Sequence, residues 1–263
     1  MNFLVSQPRL KALLVLAGLL TTLTSRSVPS WAQTAQQTKS HTIDASIHFE
    51  PPDRGTPPAK HGIGSRGNCG RQENTPPLTR LAGDNNLELT VSEHPTIWVY
   101  VPYTATEAPA GVFSLQDGDT EIYRSNFKLP ATPGIISITV PTTTKSLEID
   151  KTYRWYVDIE CSASASSAIS VPTSLTGVVK RVSITPGLEQ QLNAVQTPLR
   201  RIAAYAENHI WYETLTELAR LRLRQLSDPE LEAIWIELLN DQYVGLADVA
   251  QEPILGEVVT EDF

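Results

Sequence analysis

The sequence predicts an α+β protein, in which an antiparallel β-sandwich is followed by a C-terminal helical segment of three to four helices. Between residues 87 and 184, apolar and polar residues alternate in short runs separated by proline and glycine, as in strands. Seven runs at this spacing are typical of a sandwich. From residue 185 to 250, apolar residues instead recur three and four positions apart, which is the period of an amphipathic helix.

The N-terminal residues 1–32 have the layout of a secretory signal peptide. Arg9 and Lys11 precede an apolar run over 12–23, and Ser-Trp-Ala at 30–32 supplies small residues at the positions that a signal peptidase reads. The run is shorter than the roughly 20 apolar residues that span a bilayer. We expect cleavage after Ala32, a periplasmic or extracellular address, and no stable membrane insertion. A retained N-terminal helix is the alternative.

The charge balance limits the partners. The 263-residue chain has 29 acidic and 21 basic side chains, a formal net charge of −8, and 41% hydrophobic residues, enough for a core. Removal of the predicted leader takes away basic residues and no acid. An acidic chain repels phosphate backbones and anionic lipid surfaces, so we expect no nucleic-acid partner.

Residues 33–86 are rich in proline and glycine, and we predict an extended segment. GIGSRG at 62–67 fits the G-x-G-x-x-G pattern of dinucleotide-binding proteins. That pattern binds pyrophosphate only where a strand enters the glycine turn and a helix leaves it. Here PPDRGTPPAKH precedes it and NCGRQENTPP follows, so both elements are missing. We predict no nucleotide and no other cofactor.

The same segment carries a polar cluster formed by Asp53, Arg54, His61, Ser65 and Arg66. If the segment folds over a cleft, these side chains can bind an anion or perform acid–base chemistry. An exported hydrolase is therefore an alternative function, although no catalytic residue is assigned. The histidines of the chain show no zinc-binding spacing, and we predict no metal site.

The predicted strands lie near 87–91, 97–103, 112–115, 121–127, 135–140, 153–161 and 175–184. Asp117-Gly118 is a strong hairpin signal, which explains Asp117 and Asp119 better than a calcium site does. Leu147 and Tyr153 resemble the tyrosine-corner region of fibronectin type III and immunoglobulin-like domains. This resemblance implies an immunoglobulin- or fibronectin-like sandwich over 87–184 and no activity.

Side-chain alternation assigns two faces to the strands. The inward residues are Ile97, Val99, Val101, Tyr153, Trp155, Val157 and Ile159. Trp98, Tyr100 and Tyr156 then point outward. The available helical segment favours the interpretation that helices cover these aromatics, and a platform for a glycan or peptide is the alternative. The candidate binding surface consists of Trp98, Tyr100, Tyr156, Arg54, His61 and Arg66.

The two cysteines are Cys69 and Cys161. Export would bring them to an oxidising space, where disulfides persist. A bridge would close a loop of roughly 93 residues, worth roughly 4 to 5 kcal/mol in the chain-entropy model. Two unpaired thiols, with Cys161 buried, are the alternative.

Helices are predicted to begin at Thr185-Pro186, at Thr197-Pro198, near Ile210 and at Asp228-Pro229. The stretch RRIAAYAENHIWYETLTELARLRLRQLSDPEL looks like one degenerate tetratricopeptide repeat, which implies a helical hairpin. Residues 251–263 are predicted to form a flexible acidic tail.

Most of residues 50–240 resemble a family numbered 928 among the domains of unknown function, known chiefly from cyanobacteria. The stretches that carry the resemblance are PPDRGTPPAKHGIGSRGNC, HPTIWVYVPY, LQDGDTEIYRSNFKLPATPGIISITVP, TYRWYVDIEC and AYAENHIWYETLTELARLR. The resemblance implies an exported protein with a sheet domain and a helical C-terminal part, and it supplies no activity. We hypothesise an exported, non-enzymatic binding or cell-envelope interaction module, whose partner is an envelope protein, a peptide or a glycan.

Overall fold

The computed structural model describes residues 47–50, 69, 75–82, 88–162, 173–195 and 197–262. The predicted leader with its cleavage site after Ala32, the GIGSRG stretch and the candidate residues between 53 and 66 lie outside the described residues. Within the described part of the chain, eight strands precede four helices and two further strands follow them. The α+β prediction is therefore confirmed.

The strands are β1 Thr79–Arg80, β2 Leu89–Thr90, β3 Thr96–Val101, β4 Ala110–Asp117, β5 Thr120–Lys128, β6 Gly134–Thr139, β7 Thr152–Glu160, β8 Thr173–Arg181, β9 Ile254–Glu257 and β10 Thr260–Asp262. The helices are α1 Pro186–Ala194, α2 Pro198–Glu207, α3 Trp211–Arg224 and α4 Pro229–Asn240, and a short 3₁₀ turn follows at Ala247–Val249.

The strands form two sheets, which we call the first and the second sheet. The first has the order β1-β3-β6-β9 and the second the order β10-β5-β4-β7-β8-β2. Neighbouring strands are antiparallel except for the edge pairs β6/β9 and β8/β2, which are parallel. The expectation of a wholly antiparallel sandwich is wrong at these edges. Hairpins enforce antiparallel pairing, whereas β2 and β9 reach their partners through long connections that permit either direction.

One apolar core lies between the two sheets. Ile97 and Val99 of β3 share it with Phe113 of β4 and Trp155 of β7, as the alternation predicts. Gly177 of β8 lies opposite Trp155, and a Cβ atom at this position would approach the indole to 2.2 Å. The missing side chain at Gly177 therefore makes room for the Trp155 ring.

The other face of the first sheet is covered by α2, α3 and α4. Trp98 and Tyr100 of β3 lie in one buried cluster with Trp211 of α3 and Trp235 of α4, and they are only 3% and 1% exposed. Helices therefore cover Trp98 and Tyr100, as the favoured interpretation of the sequence expected, and the alternative of an exposed platform at these two residues is wrong. The reason is that the apolar stripe of α3 and these aromatics bury each other.

Capping residues begin three of the helices. Thr185 and Thr197 accept hydrogen bonds from the amides of Leu188 and Arg200 at the starts of α1 and α2. Asp228 accepts from two amides at the start of α4, and proline follows each of the three caps. These side chains satisfy amides that have no partner within the helix. None of the helices in the described residues has the length and hydropathy needed to cross a bilayer.

The C-terminal residues are part of both sheets, so the prediction of a flexible tail over 251–263 is corrected. Strand β9 pairs with β6 at the edge of the first sheet, and β10 pairs with β5 at the edge of the second. An unpaired edge strand exposes a row of backbone donors and acceptors, which these two short strands satisfy. The sheet region likewise extends beyond the predicted 87–184, because β1 and the C-terminal strands belong to it.

The segment before β1 is tied to the domain at two described places. Phe49 is buried with its ring edge-to-face on Trp211, at a centroid distance of 5.0 Å. Cys69 and Cys161 form a disulfide with Cα atoms 4.9 Å apart, which joins this segment to the chain just after β7. The disulfide thus connects positions 92 residues apart.

Candidate functional site

A cleft of about 330 Å³ lies between α3, the strands β3 and β6, and the chain that leads into β3. Thr96 of β3 and Thr139 of β6 are paired in register, and their hydroxyl oxygens are 3.0 Å apart. Ser92 and His94 contribute from the connection between β2 and β3. The sheet side of the cleft is therefore lined by hydroxyl groups and one imidazole.

The helix side of the cleft is formed by a polar stripe on α3. Glu213, Thr216, Glu217 and Arg220 follow the spacing i, i+3, i+4 and i+7, which places them on one face of a helix. The indole Nε1 of Trp98 donates to the Thr216 hydroxyl at 3.0 Å. This bond fixes the middle of the stripe to the first sheet.

The Glu213 carboxyl is held by groups from the end of β2 and from the connection that follows it. Its Oε1 accepts a hydrogen bond from the Thr90 hydroxyl at 2.6 Å and another from the Ser92 amide at 3.0 Å. Its Oε2 is buried and has no hydrogen-bonding partner among the described residues. Burial raises the pKa of Glu213 to about 7, against the lowering effect of the bond from Thr90. The carboxyl therefore changes protonation near neutral pH.

His94, which also lines the cleft, has a second buried polar atom. Its Nδ1 is buried and has no partner among the described residues, while its backbone amide donates to the Ser92 hydroxyl at 3.1 Å. Most buried polar atoms in folded proteins have a partner, so each exception needs an explanation. Here the two residues that carry such exceptions come from separate parts of the chain and line one cleft.

Arg220 is the cationic group of the cleft. Its side chain is exposed, and its guanidinium donates to the Thr96 hydroxyl at a long 3.4 Å. Within the described part of the chain, no carboxylate lies within 4.0 Å of it. Glu217, three positions earlier on the helix, therefore forms no ion pair with Arg220.

Two tyrosines complete the cleft with hydroxyls that are already bonded. The Tyr212 hydroxyl accepts from Trp155 Nε1 at 3.0 Å and donates to the Val178 carbonyl at 2.7 Å. Arg201 donates to the Tyr205 hydroxyl at 3.0 Å. Burial raises the pKa of both tyrosines above the ordinary value, so both hydroxyls stay protonated at neutral pH.

Among the described members of the candidate binding surface, Tyr156 lies apart from Trp98 and Tyr100. Trp98 and Tyr100 are buried on the first sheet, whereas Tyr156 is half-buried on the second, between Ser114 and Thr176 of the neighbouring strands. Tyr156 lines a separate groove of about 340 Å³. The other members of the candidate surface lie outside the described residues, namely Arg54, His61 and Arg66, together with Asp53 and Ser65.

Sequence reasoning did not find the cleft. The polar stripe of Glu213, Thr216, Glu217 and Arg220 was a visible signal, but the same spacing describes any solvated helix face. Only the tertiary contact with Thr90 and Ser92 distinguishes this stripe. The described residues contain no group of three or more metal-ligating side chains suited to an ion. The expectation that the chain has no metal site stays a prediction.

These features define a class of protein: a domain with two sheets around one core, helices over one sheet, and a polar cleft where helix and sheet meet. The chain belongs to the family described as Domain of Unknown Function (DUF928), whose model matches residues 61–254. This span contains every residue of the cleft, and it confirms the family resemblance seen in the sequence. No curated protein and no solved structure matches the chain.

Proposed function

We propose that the protein is an exported, non-enzymatic binding module whose ligand site is the cleft between α3 and β3. The observation that carries this proposal is that two residues lining one cleft each have a buried polar atom with no partner among the described residues, namely Glu213 Oε2 and His94 Nδ1. Leaving such an atom unpaired costs roughly 1–3 kcal/mol. A ligand that supplies the missing partners would recover this free energy on binding.

Binding is favoured over catalysis by the contacts inside the cleft. Nucleophilic catalysis needs a nucleophile within hydrogen-bonding distance of its base. The hydroxyls of Thr90 and Thr216 are engaged with Glu213 and Trp98, and no hydroxyl of the described residues hydrogen-bonds the His94 ring. The hydrolase hypothesis depends on residues 53–66, which lie outside the described residues, so it stays an untested prediction.

Export is part of the proposal. The disulfide between Cys69 and Cys161 supports it, because disulfides persist in oxidising compartments and are rare in the cytosol. The basic, apolar and small-residue order of the first 32 residues supports it independently. An exported binding module can meet an envelope protein, a peptide or a glycan, and a cleft of this size suits a small molecule or the end of a larger one.

The finer fold likenesses also belong to the proposal. The Glu148 amide donates to the Tyr153 hydroxyl at 2.9 Å, next to the buried Leu147. A tyrosine hydroxyl bonded to backbone a few residues upstream is a mark of immunoglobulin- and fibronectin-like sandwiches, so this contact supports that likeness. The contact between α2 and α3 supports a tetratricopeptide-like hairpin.

A cleft-filling substitution tests the binding function. Thr139→Phe places a ring in the cleft, and Thr120→Phe makes the same change at an exposed position of β5. Thermal-shift and calorimetric measurements with a panel of amino acids, short peptides, sugars and organic acids should find a ligand that stabilises the wild type and the Thr120 variant. The Thr139 variant should lose that stabilisation. A panel without any ligand, or with ligands that bind both variants equally, would refute the proposal.

A further inference from the structure

Opposite charges divide the polar stripe of α3 that lines the cleft. Glu213 and Glu217 lie about one turn apart at one end, and Arg220 lies almost one turn beyond Glu217. With a helical rise of about 1.5 Å per residue, Arg220 is roughly 4.5 Å along the axis from Glu217 and roughly 10.5 Å from Glu213. The cleft therefore has an acidic end at Glu213 and a basic end at Arg220, which are separated by the length of a small molecule, with Glu217 between them.

Among the described residues, no opposite charge pairs with either end. Glu213 Oε2 is buried and has no hydrogen-bonding partner there. Among the described residues, Glu217 and Arg220 form no ion pair with each other or with a third side chain. An ion pair at i, i+3 is ordinary on an exposed helix face, so its absence here leaves both charges available to a ligand.

The distribution of charge selects the class of ligand. A purely cationic ligand would leave Arg220 uncompensated, and a purely anionic one would meet repulsion from Glu217. A ligand with both charges complements both ends at once, and such complementarity gives specificity. Beside Arg220, the hydroxyls of Thr96 and Thr139 offer hydrogen bonds to a polar group such as an amide.

We infer that the cleft binds a small zwitterion of amino-acid or dipeptide size, with its ammonium group at Glu213 and Glu217 and its carboxylate at Arg220. The cleft volume of about 330 Å³ lies at the lower end of the range for ligand sites, which suits a ligand of this size. This inference rests on the proposed binding function and adds the chemical class of the ligand.

The test compares one dipeptide with its capped forms. L-alanyl-L-alanine carries both charges, its C-terminal amide carries only the ammonium group, and its N-acetyl form carries only the carboxylate. Calorimetry with the purified protein should show that the zwitterion binds about tenfold or more tightly than either capped form, because hydrogen bonds between charged groups are the stronger ones. Equal affinity of the three forms would overturn the inference.

Substitutions assign each charge to its end of the cleft. Arg220→Gln should weaken binding of the dipeptide about tenfold and leave the amide form unchanged, whereas Glu217→Gln should weaken both. Arg224→Gln, on the same helix and outside the cleft lining, is the control and should change neither. Unaltered unfolding midpoints would exclude a loss of fold as the cause. If Arg220→Gln weakens both forms alike, the assignment of the carboxylate is wrong.

The outcome for uncharged ligands separates this inference from the proposed function. If a neutral sugar binds, is blocked by Thr139→Phe, and the dipeptide does not bind, the binding function stands and the zwitterion is excluded. If no compound binds, both are refuted.

Discussion

The Glu213 carboxyl joins two parts of the chain that are 121 and 123 positions apart, through its bonds to Ser92 and Thr90. Burial raises its pKa to about 7, so the folded protein keeps a proton that the unfolded chain releases above its ordinary value of 4.5. The folded state therefore gains stability from this proton at low pH. That contribution is fully present below pH 4.5 and is lost as the pH rises through 7.

The pH dependence of unfolding tests this account of Glu213. Glu213→Gln keeps an oxygen that accepts from Thr90 and Ser92 but has no proton to lose. Between pH 5 and pH 8, the free energy of unfolding of the wild type should fall by about 2–3 kcal/mol more than that of the variant. Urea denaturation at both pH values measures the difference. The control is Glu217→Gln, which removes the same charge one turn along α3, and an equal pH dependence in all three proteins would contradict the prediction.

Single residues also show why the sequence left two interpretations of Trp98 open. The alternation correctly assigns Trp98 to the face of β3 opposite Ile97 and Val99. It does not say what lies on that face, because water and a helix are both compatible with a period of two. The indole of Trp98 is buried under α3 and donates to Thr216, which lines the cleft. Trp98 is therefore a packed residue and not part of an exposed aromatic platform.

Among the elements, the two C-terminal strands differ most from the sequence expectation. Acidic residues and short length suggested a frayed tail, yet Ile254 packs on the helical core and Val258 on the core between the sheets. The amide of Ile135 in β6 donates to the Pro253 carbonyl at 2.8 Å, just before β9 begins. These contacts fix the tail because they fill edges that would otherwise expose unpaired backbone groups.

Truncation tests the role of β9 and β10. Deleting residues 254–263 should lower the free energy of unfolding by about 2 kcal/mol or more, since two partly buried aliphatic side chains and two strand pairings are lost. The exposed edges of β5 and β6 should also cause association that increases with protein concentration. Denaturation and size-exclusion chromatography measure these two effects.

A substitution on the same tail is the control for the truncation. Val259 is 80% exposed, so Val259→Ser should change the stability by less than about 0.5 kcal/mol. A truncated protein that is as stable and as monomeric as this variant would show that the edge pairings contribute nothing.

At the scale of the whole molecule, the disulfide joins the chain before β1 to the end of the β7 strand. It connects positions 92 residues apart, so it restricts the unfolded chain strongly. The same segment is tied down at a second place, where Phe49 contacts Trp211 and His48 lies 2.8 Å from Asp241. The chain ahead of the first sheet is thereby connected to both the sheet region and the helical region.

Removal of the disulfide should cost much of the stability of the fold. The double substitution Cys69→Ala and Cys161→Ala should lower the free energy of unfolding by about 2–5 kcal/mol, chiefly by freeing the unfolded chain. Guanidinium denaturation with and without reductant measures this. Reductant should destabilise the wild type and leave the double variant unaffected. A reduced wild type of unchanged stability would contradict the prediction that the disulfide stabilises the fold.

Local pattern was sufficient for much of the fold. The alternation in β3 and β7 gave the inward faces, and Thr185, Thr197 and Asp228 with the prolines that follow them gave the starts of three helices. The Asp117-Gly118 turn placed the β4–β5 hairpin, with Gly118 at a φ of +58°. In each case the decisive interaction joins residues a few positions apart, so the local sequence is sufficient to predict it.

The sequence by itself thus determined the fold class, the family, the helix starts and the faces of the central strands. The tertiary structure decided the rest: the pairing of the C-terminal strands, the covering of Trp98 and Tyr100, and the cleft. The physical reason is the distance between partners along the chain. Whether Glu213 is a solvated helix residue or a buried acid depends on Thr90 and Ser92, more than 120 positions away, and no local pattern specifies that contact.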